Sequence, residues 1–420
     1  MENYSWIKGF NYVPSYARND IEFWRDYDGE IVEREMGYAK RIGFNCARVF
    51  LAGIVFQHQP EQFIENIVHF VRTAHQYGIY TIPCIWDSCF SEEEPVIDFD
   101  ANEWMPNPGV RHLGEAERVW QVPYCDALID ALEQEQGLLM WDIHNEPWQT
   151  AYVMHSEGEI RAAREKEILN FVRFFCDYFH EHSKKPVTVG VAAASQLELI
   201  GEWCDVLSFH DYSPTWKTIE VQYDIALGYA EKWNKAVFCS EMCCPARCNP
   251  YDIAIEVADK KQVGYILWEL MIGKTFWHDR HGIVYPDGTV RDPAIIAAVA
   301  GFYRKRGGGE IDYNVNTERI VEEWIAKGHC WLGTKDAEYE EGLEILYALA
   351  GTVESGNLVP LNILPTSQVA KLEKGERDRR MLRKLMLNWI NVLQEDAYLK
   401  EDANYNTMED AHNPLDKQGE

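Results

Sequence analysis

The sequence predicts an α/β protein built on a (β/α)8 barrel, the TIM-barrel fold, with a smaller and mostly helical C-terminal region. Three observations lead to this prediction. Short apolar segments alternate with amphipathic segments from the N-terminus onward, as in repeated βα units around a parallel sheet. Eight apolar segments of this kind are present, which is the number that closes a barrel. The chain of 420 residues is long enough for a barrel of about 250 residues and an appendage.

The predicted strands are runs of apolar and β-branched residues, typical of strands that are buried on both faces of a parallel sheet. They lie at residues 7–12, 45–50, 80–87, 138–146, 187–191, 206–210, 236–241 and 264–269. The predicted helices between and after them cover residues 30–42, 60–78, 124–136, 157–182, 221–233, 251–260 and 293–304. Residues 88–123 are too many for an ordinary βα connection, and we interpret them as a lid over the strand ends.

A change in composition at Gly307-Gly308-Gly309 predicts a domain boundary. The prediction is a barrel domain over residues 1–306 and an accessory region over residues 310–420. A helix is expected from Glu376 to Leu393, and the polar tail from about residue 401 is expected to be mobile.

The charge of the chain limits its partners. It carries 40 basic and 68 acidic residues, for a formal net charge of −28, which repels phosphate backbones and anionic membranes. We therefore expect no nucleic-acid or membrane partner, and a neutral substrate. The 15 Trp and 22 Tyr suit a site that stacks on sugar rings, although a large aromatic core would use them as well. The N-terminus has no signal-peptide pattern, so a cytoplasmic location is expected, and the oligomeric state is left open.

The cysteines favour reduced thiols. Their number, 11, is odd, and several lie inside predicted buried strands. Cys239, Cys243, Cys244 and Cys248 are close in sequence, but they do not form paired Cys-x-x-Cys motifs. We predict no metal site and no cofactor.

Two predicted strands end in a glutamate. Glu146 ends the run that begins at Leu138, and Glu241 ends the run that begins at Ala236. The C-terminal ends of the strands carry the chemistry of (β/α)8 barrels, so these two carboxylates can face each other across the mouth. At a separation of about 5 Å they suit a retaining glycosidase. Glu146 is the predicted acid/base, with a raised pKa, and Glu241 is the predicted nucleophile.

Polar and aromatic residues near the strand ends are predicted to bind the substrate. Arg48 lies inside an apolar strand and must pair with an anion, either a catalytic carboxylate or a partner at the barrel floor. Asn145 is expected to bind a sugar hydroxyl, and Trp268 is expected to stack on the sugar ring. The complete predicted set is Arg48, Trp86, Asp87, Asn145, Trp148, His210, Tyr212 and Trp268.

The order of these motifs resembles that of the clan A glycoside hydrolases, most closely family 5, over roughly residues 6 to 305. The motifs that carry the resemblance are Arg48, Asn145-Glu146-Pro147, His210-x-Tyr212, Glu241 and Trp268. The resemblance implies a (β/α)8 barrel, no cofactor, retention of configuration, the first glutamate as acid/base and the second as nucleophile. Trp86-Asp87 stands where many members carry a His, which leaves the identity of the sugar open.

The expected activity is hydrolysis of β-linked glycosides, with exo action on short oligosaccharides of a β-mannosidase-like or β-glucosidase-like kind. Large loops at residues 88–123 and 272–288 favour exo action because they would narrow the mouth. Three alternatives are an endo-acting β-glucanase or β-mannanase, a noncatalytic carbohydrate-binding barrel and a metal-dependent barrel hydrolase.

Overall fold

The structure is a computed structural model that describes residues 3–89, 96–244, 247–278, 280–303, 317–350 and 379–394. The described residues of Met1–Asp211, Gln222–Met242 and Ala258–Phe302 form one compact unit, and those of Tyr212–Val221, Cys243–Val257 and Tyr303–Glu420 form another. The predicted boundary at Gly307-Gly308-Gly309 and the predicted mobile tail lie outside the described residues, so the predicted domain division stays a prediction.

The first unit contains eight parallel strands that form a closed barrel in chain order, which confirms the predicted (β/α)8 fold. The strands are β1 Lys8–Asn11, β2 Cys46–Phe50, β3 Tyr80–Asp87, β4 Trp141–Asn145, β5 Val187–Val191, β6 Val206–Asp211, β7 Ala236–Met242 and β8 Gly264–Leu267. Pairing of β1 with β8 closes the ring, with Phe10 opposite Leu267. Each observed strand overlaps a predicted one, and β3 and β5 have the predicted bounds.

Helices follow the strands along the chain. They are α1 Asp20–Arg25, α2 Gly29–Ile42, α3 Gly53–His58, α4 Pro60–Gln76, α5 Arg118–Leu132, α6 Ala151–Met154, α7 Gly158–His182, α8 Leu197–Ile200, α9 Trp216–Trp233, α10 Tyr251–Lys261, α11 Pro293–Val299, α12 Thr317–Gly333, α13 Tyr339–Ala350 and α14 Arg379–Gln394.

Helix α2 illustrates how the sequence sets the ends of these elements. The Asp28 side chain accepts hydrogen bonds from the backbone N–H groups of Glu30 and Ile31, which would otherwise have no partner within the helix. Gly43 follows the last turn with φ of 100°, a left-handed conformation that glycine adopts without a steric penalty. The predicted C-terminal cap at Gly43 is therefore confirmed.

Several helices differ from the prediction. The short helices α1, α3, α6 and α8 are absent from it. Helix α5 begins six residues before the predicted start at Tyr124, α9 begins five residues before the predicted start at Val221, and α11 ends five residues before the predicted end at Arg304. Helices α1 and α3 have six residues each, too few to establish a 3.6-residue apolar period in the sequence. Helix α5 has Pro123 within it, a residue that usually marks a helix boundary.

The barrel interior changes from apolar to polar along the strands. Near the N-terminal ends of the strands, a buried apolar cluster fills the barrel. It consists of Tyr4, Ile7, Cys46, Ile82, Met140, Val206, Phe238 and Ile266. Further along the same strands the buried side chains become polar, as with Asn11, Arg48 and Asp142. The polar residues thus occupy the end of the barrel at which the strands terminate.

In the second unit, helices α12, α13 and α14 share an apolar core, which includes Trp331, Leu346, Leu349, Leu382 and Ile390. Among the residues that the structure describes, no helix combines the length and apolarity required to cross a membrane.

Candidate active site

Glu146 lies at the end of β4 in an unusual backbone conformation. Its φ is 39°, in the left-handed region, which costs a residue other than glycine on the order of 1 kcal/mol. The backbone N–H of Glu146 donates to the carbonyl oxygen of Gly190 at 2.7 Å, and the Gln149 N–H donates to the Glu146 carbonyl at 3.0 Å. These contacts hold the turn that directs the Glu146 side chain.

Glu241 and Glu146 converge on one side chain, His210. In the sheet, His210 on β6 is paired with Glu241 on β7. His210 Nδ1 is hydrogen-bonded to Glu146 Oε1 at 2.5 Å and lies 3.4 Å from Glu241 Oε2. One carboxylate oxygen of each glutamate and one ring nitrogen of His210 lie within 4.8 Å of one another. Both glutamates are largely buried, with 7% and 6% of their surface exposed.

Arg48 on β2 connects these groups from inside the barrel. Its Nε donates to Asp142 Oδ2 at 2.7 Å, and its Nη1 donates to Asn11 Oδ1 at 3.0 Å and to Glu241 Oε1 at 2.8 Å. Its Nη2 donates to Asn145 Oδ1 at 2.7 Å and lies 3.8 Å from the Cys84 sulfur. All five N–H donors of the guanidinium group therefore have acceptors in the protein. The predicted substrate contact of Arg48 is corrected to a positioning role, because no donor is left for a ligand.

Replacing Arg48 by methionine is expected to lower the free energy of unfolding by about 3–5 kcal/mol. The substitution leaves Asp142 and Glu241 buried without their cation. The midpoint of urea denaturation measures the loss. Arg72→Met is the matched control, because Arg72 forms its salt bridge with Glu135 at the surface, and no measurable change is expected there. Equal stabilities of the two variants would contradict the role given to Arg48.

Gly190 on β5 provides the space in which Arg48 and His210 lie. A Cβ atom at position 190 would lie 2.9 Å from Arg48 Nη2, 3.0 Å from His210 Nε2 and 3.4 Å from Asp142 Oδ2. This requirement cannot be predicted from the sequence, because glycine within a strand has several structural causes.

We expect Gly190→Ala to lower the free energy of unfolding by about 1–3 kcal/mol, because the added methyl group displaces buried charged groups. Gly228→Ala is the control. Gly228 is an exposed position in α9 with no atom within 4 Å of an added Cβ, and alanine there is expected to stabilise the helix slightly. Thermal or urea denaturation of both variants tests the difference, and a Gly190→Ala variant as stable as Gly228→Ala would contradict it.

Asp87 at the end of β3 holds Asn145. The Asn145 amide nitrogen donates to Asp87 Oδ1 at 3.0 Å, while its oxygen accepts from Arg48. Trp104 Nε1 donates to Asp87 Oδ2 at 2.9 Å. Burial raises the pKa of Asp87 to about 6, against the lowering effect of these hydrogen bonds. Asp87 thus fixes the orientation of the Asn145 amide and ties the loop that contains Trp104 to the barrel.

The described part of the predicted lid, residues 96–123, is attached to β3. Asp87 and Asn107 exchange two backbone hydrogen bonds of 2.6 Å each. The Asn107 side chain also donates to the carbonyl oxygens of Leu51 and Ile85. The lid interpretation stays a prediction, since residues 90–95 lie outside the part of the chain that is described.

Trp268 follows β8 and is mostly buried, with 7% of its surface exposed. Its ring makes edge contacts with Phe50, Trp104 and Trp277 at centroid distances of 5.6, 6.5 and 6.4 Å. The peptide bond between Trp268 and Glu269 is cis. The predicted stacking of a sugar on Trp268 stays a prediction.

The expected substrate contact of Trp86 is corrected. The Trp86 side chain is fully buried and packs against an aromatic group formed by Trp120, Tyr124, Phe171 and Phe175, residues of α5 and α7. Since adjacent residues of a strand point to opposite faces, Trp86 faces these helices while Asp87 bonds to Asn145. Trp86 is a core residue.

Trp148 and Tyr212 are two further residues that are predicted to bind the substrate. Trp148 is buried, with 7% of its surface exposed. Tyr212 belongs to the second compact unit, where the Arg247 guanidinium lies 4.4 Å from the centre of its ring. Substrate binding by either residue stays a prediction.

Several polar residues of the site had no predicted role. Asp142 and Asn11 bind Arg48, and the Cys89 thiol donates to Glu146 Oε2 at 3.0 Å. Glu269 is a further buried carboxyl group. The signal for Asp142 was present in the sequence, because a charged residue within a buried strand requires a partner of opposite charge.

A small cation could use the same donors. Among the described residues, Glu146, His210 and Glu241 are the group whose donor atoms lie close enough together to hold a metal ion. The Arg48 guanidinium, 2.8 Å from Glu241, opposes a second positive charge at this point. The arrangement is thus suited to two carboxyl groups that act together on one bound molecule.

No family model and no curated protein sequence matches the chain. Solved structures match it at low identity. An exo-beta-1,4-mannosidase from Opitutaceae bacterium strain TAV5 is 13% identical with a TM-score of 0.51, over 70% of this chain and 58% of that enzyme, so the chain spans under two thirds of its length.

Two other solved structures are similar to a comparable extent. A GH5_18 protein from Streptomyces cattleya in complex with Manb1-4GlcNAc is 17% identical with a TM-score of 0.52, over 72% of this chain and 82% of that one. A GH5-4 broad specificity endoglucanase from Clostridium longisporum is 12% identical with a TM-score of 0.50, over 72% of this chain and 99% of that one. At these identities the likeness shows a shared fold. The chain is a (β/α)8-barrel protein that shares its fold with these three structures.

Proposed function

We propose that this protein is a retaining β-glycosidase of the clan A type, similar to family 5, in which Glu146 is the acid/base and Glu241 the nucleophile. One observation carries the proposal. One carboxylate oxygen of Glu146 and one of Glu241 lie within 4.8 Å of each other at the ends of two barrel strands. Retaining glycosidases use carboxyl groups about 5–5.5 Å apart, whereas inverting enzymes separate them by about 6.5–9.5 Å to admit a water molecule.

The surroundings of the two glutamates support different roles. Glu241 accepts a hydrogen bond from the Arg48 guanidinium at 2.8 Å, which stabilises the carboxylate form that a nucleophile requires. The Glu146 oxygens bond to His210 and to the Cys89 thiol, neither of which carries a permanent positive charge. Glu146 is therefore the better candidate to hold the proton.

The proposed reaction has two steps. Glu241 attacks the anomeric carbon while Glu146 donates its proton to the leaving oxygen, so that a glycosyl ester forms on Glu241 and the glycosidic bond breaks. Glu146 then takes a proton from water, and the hydroxide attacks the anomeric carbon and releases Glu241. Two inversions give net retention, and no cofactor is needed.

The proposed substrates are short β-linked oligosaccharides that are cleaved from one end, of a β-mannosidase-like or β-glucosidase-like kind. The aromatic wall of Phe50, Trp104 and Trp268 supports a confined sugar site, as does the attachment of the loop after β3 at Asp87. The fold is shared with an exo-mannosidase and with an endoglucanase. Endo action on a β-glucan or β-mannan is therefore the second candidate.

A panel of 4-nitrophenyl β-glycosides tests the proposal. We expect release of nitrophenol from one or more β-hexosides and no effect of a chelator. Release of single sugars from oligosaccharides of increasing length would support exo action, and mid-chain cleavage would support endo action. Sugar binding without turnover would favour a noncatalytic barrel, and loss of activity with chelator would favour a metal-dependent hydrolase.

A further inference from the structure

A third carboxyl group, that of Glu269, lies near enough to the proposed nucleophile Glu241 for their charges to interact. Glu269 follows Trp268 after the end of β8 and has 1% of its surface exposed. Its Oε1 accepts a hydrogen bond from the Thr275 hydroxyl at 2.9 Å. Its Oε2 is buried and has no hydrogen-bond partner within the part of the chain that the structure describes. The proposed reaction makes no use of this group.

A buried oxygen without a partner destabilises a fold, because the hydrogen bonds that it makes to water in the unfolded chain are lost. Such atoms are rare in native proteins, and where they occur near a functional site they point to a missing ligand or water. The Thr275 hydroxyl satisfies Oε1 of Glu269, which leaves Oε2 for such a ligand.

The surroundings of Glu269 favour its neutral form. Burial, together with the negative charge of Glu241 on the neighbouring strand, raises the pKa of Glu269 to about 8. The hydrogen bond from Thr275 and the positive charge of Arg291 oppose this shift. Arg291 itself donates to the backbone carbonyls of His278 and His281. At pH 7 the side chain is thus a carboxylic acid, which can donate a hydrogen bond as well as accept one.

We propose that Glu269 is a specificity-determining residue whose Oε2 binds one hydroxyl group of the sugar that lies against Glu241. This inference rests on the proposed glycosidase function. A sugar hydroxyl both donates and accepts hydrogen bonds. It therefore matches the carboxylic acid of Glu269, in which Oε1 is hydrogen-bonded to Thr275 and Oε2 has no partner among the described residues. The inference names the substrate class as a neutral hydroxylated pyranose. A uronic acid would add another negative charge beside Glu241.

The test compares Glu269→Gln and Glu269→Ala with the unaltered protein on 4-nitrophenyl β-D-mannoside, β-D-glucoside and their monodeoxy analogues. On the parent sugar, which is the glycoside with all of its hydroxyl groups, we expect kcat/KM to be about 10-fold lower for Glu269→Gln and about 100-fold lower for Glu269→Ala. One analogue lacks the hydroxyl group that Glu269 is proposed to bind. On that analogue we expect a lower kcat/KM than on the parent sugar for the unaltered protein, and no further decrease for the two variants. Analogues deoxygenated elsewhere should retain the full difference between variant and unaltered protein.

Glu35→Gln is the matched control. Glu35 on α2 is also buried, but both of its oxygens have partners, since it accepts hydrogen bonds from Tyr12 and Ser15. Its substitution should alter stability and leave the preference among the deoxy analogues unchanged.

The pH profile gives a second readout, which remains if Glu269→Ala does not fold. The carboxylic acid O–H of Glu269 is present below about pH 8 and is lost as pH rises through that value. The Glu269 side chain then becomes a second anion beside Glu241. We expect kcat/KM of the unaltered protein for the parent sugar to show an alkaline decline that Glu269→Gln lacks.

Three outcomes overturn the inference. Folded Glu269 variants with unchanged kcat/KM would remove the proposed contact while leaving the glycosidase proposal intact. An equal loss on every deoxy analogue would show a structural role instead. Absence of turnover by the unaltered protein on all of these glycosides would overturn the proposed function, and this inference with it.

Discussion

Glu241→Ala is expected to lower kcat by about 10⁴-fold on every β-glycoside that the unaltered protein hydrolyses. The substitution removes the atom that is proposed to attack the anomeric carbon, and water cannot occupy the same position with the same orientation. Sodium azide should restore part of the activity, because the small anion enters the space left by the side chain. The product expected from this rescue is the α-glycosyl azide, formed by a single inversion.

Glu241→Gln is the control for this prediction. It should be as inactive as the alanine variant and should not respond to azide, because the amide fills the space. In both variants Arg48 keeps its bond to Asp142 at 2.7 Å, so the fold should persist, as thermal denaturation can verify. A near-normal rate in either variant would remove Glu241 from the role of nucleophile.

For Glu146→Ala, we expect a loss that depends on the leaving group. With an alkyl glycoside or an oligosaccharide the decrease in kcat/KM should be about 10²–10⁴-fold, because the leaving oxygen requires a proton. With a dinitrophenyl glycoside, whose leaving group needs no proton, the first step should be affected little. The ester on Glu241 should then accumulate and appear as a burst of released phenol.

Azide separates the two roles by stereochemistry. For Glu146→Ala it attacks the glycosyl ester after the first inversion, so the expected product is the β-glycosyl azide. The opposite anomers from the two alanine variants would support the assignment directly. Equal losses of Glu146→Ala on activated and unactivated substrates, with no azide adduct, would show that Glu146 is not the acid/base.

Most of the barrel could be predicted from the sequence because buried parallel strands leave a continuous apolar pattern. Strand β5, Val187–Val191, and strand β3, Tyr80–Asp87, were predicted to the residue. Short helices that interrupt βα connections, such as α1, leave no such pattern. Their apolar residues, Phe23 and Trp24 among them, are too few to separate helix from loop.

The candidate site could be predicted in part, for a geometric reason. The ends of parallel strands meet on one face of a barrel, so the proximity of Glu146 and Glu241 followed from their positions in the sequence alone. Which face of its strand a residue occupies was harder to predict. Trp86 and Asp87 were both assigned to the site, although two adjacent strand residues cannot both point into the barrel.

The remaining residues depend on contacts between distant strands. Asp142 and Arg48 are 94 positions apart, and Gly190 matters only through the side chains that pass over it. No local pattern encodes such contacts. The role of Glu269 depends in the same way on Thr275 and Arg291, which follow it in a loop with no regular period.

The five hydrogen-bonded N–H donors of Arg48 determine which free energy aligns Glu241 for the proposed reaction. Because the guanidinium group is held by Asn11, Asp142 and Asn145 as well as by Glu241, the proposed nucleophile is aligned when the chain folds. In the proposed reaction, little dipole reorganisation is then left for the moment at which charge moves between sugar and carboxylate. Folding free energy, rather than affinity for the sugar, would supply this part of the rate enhancement.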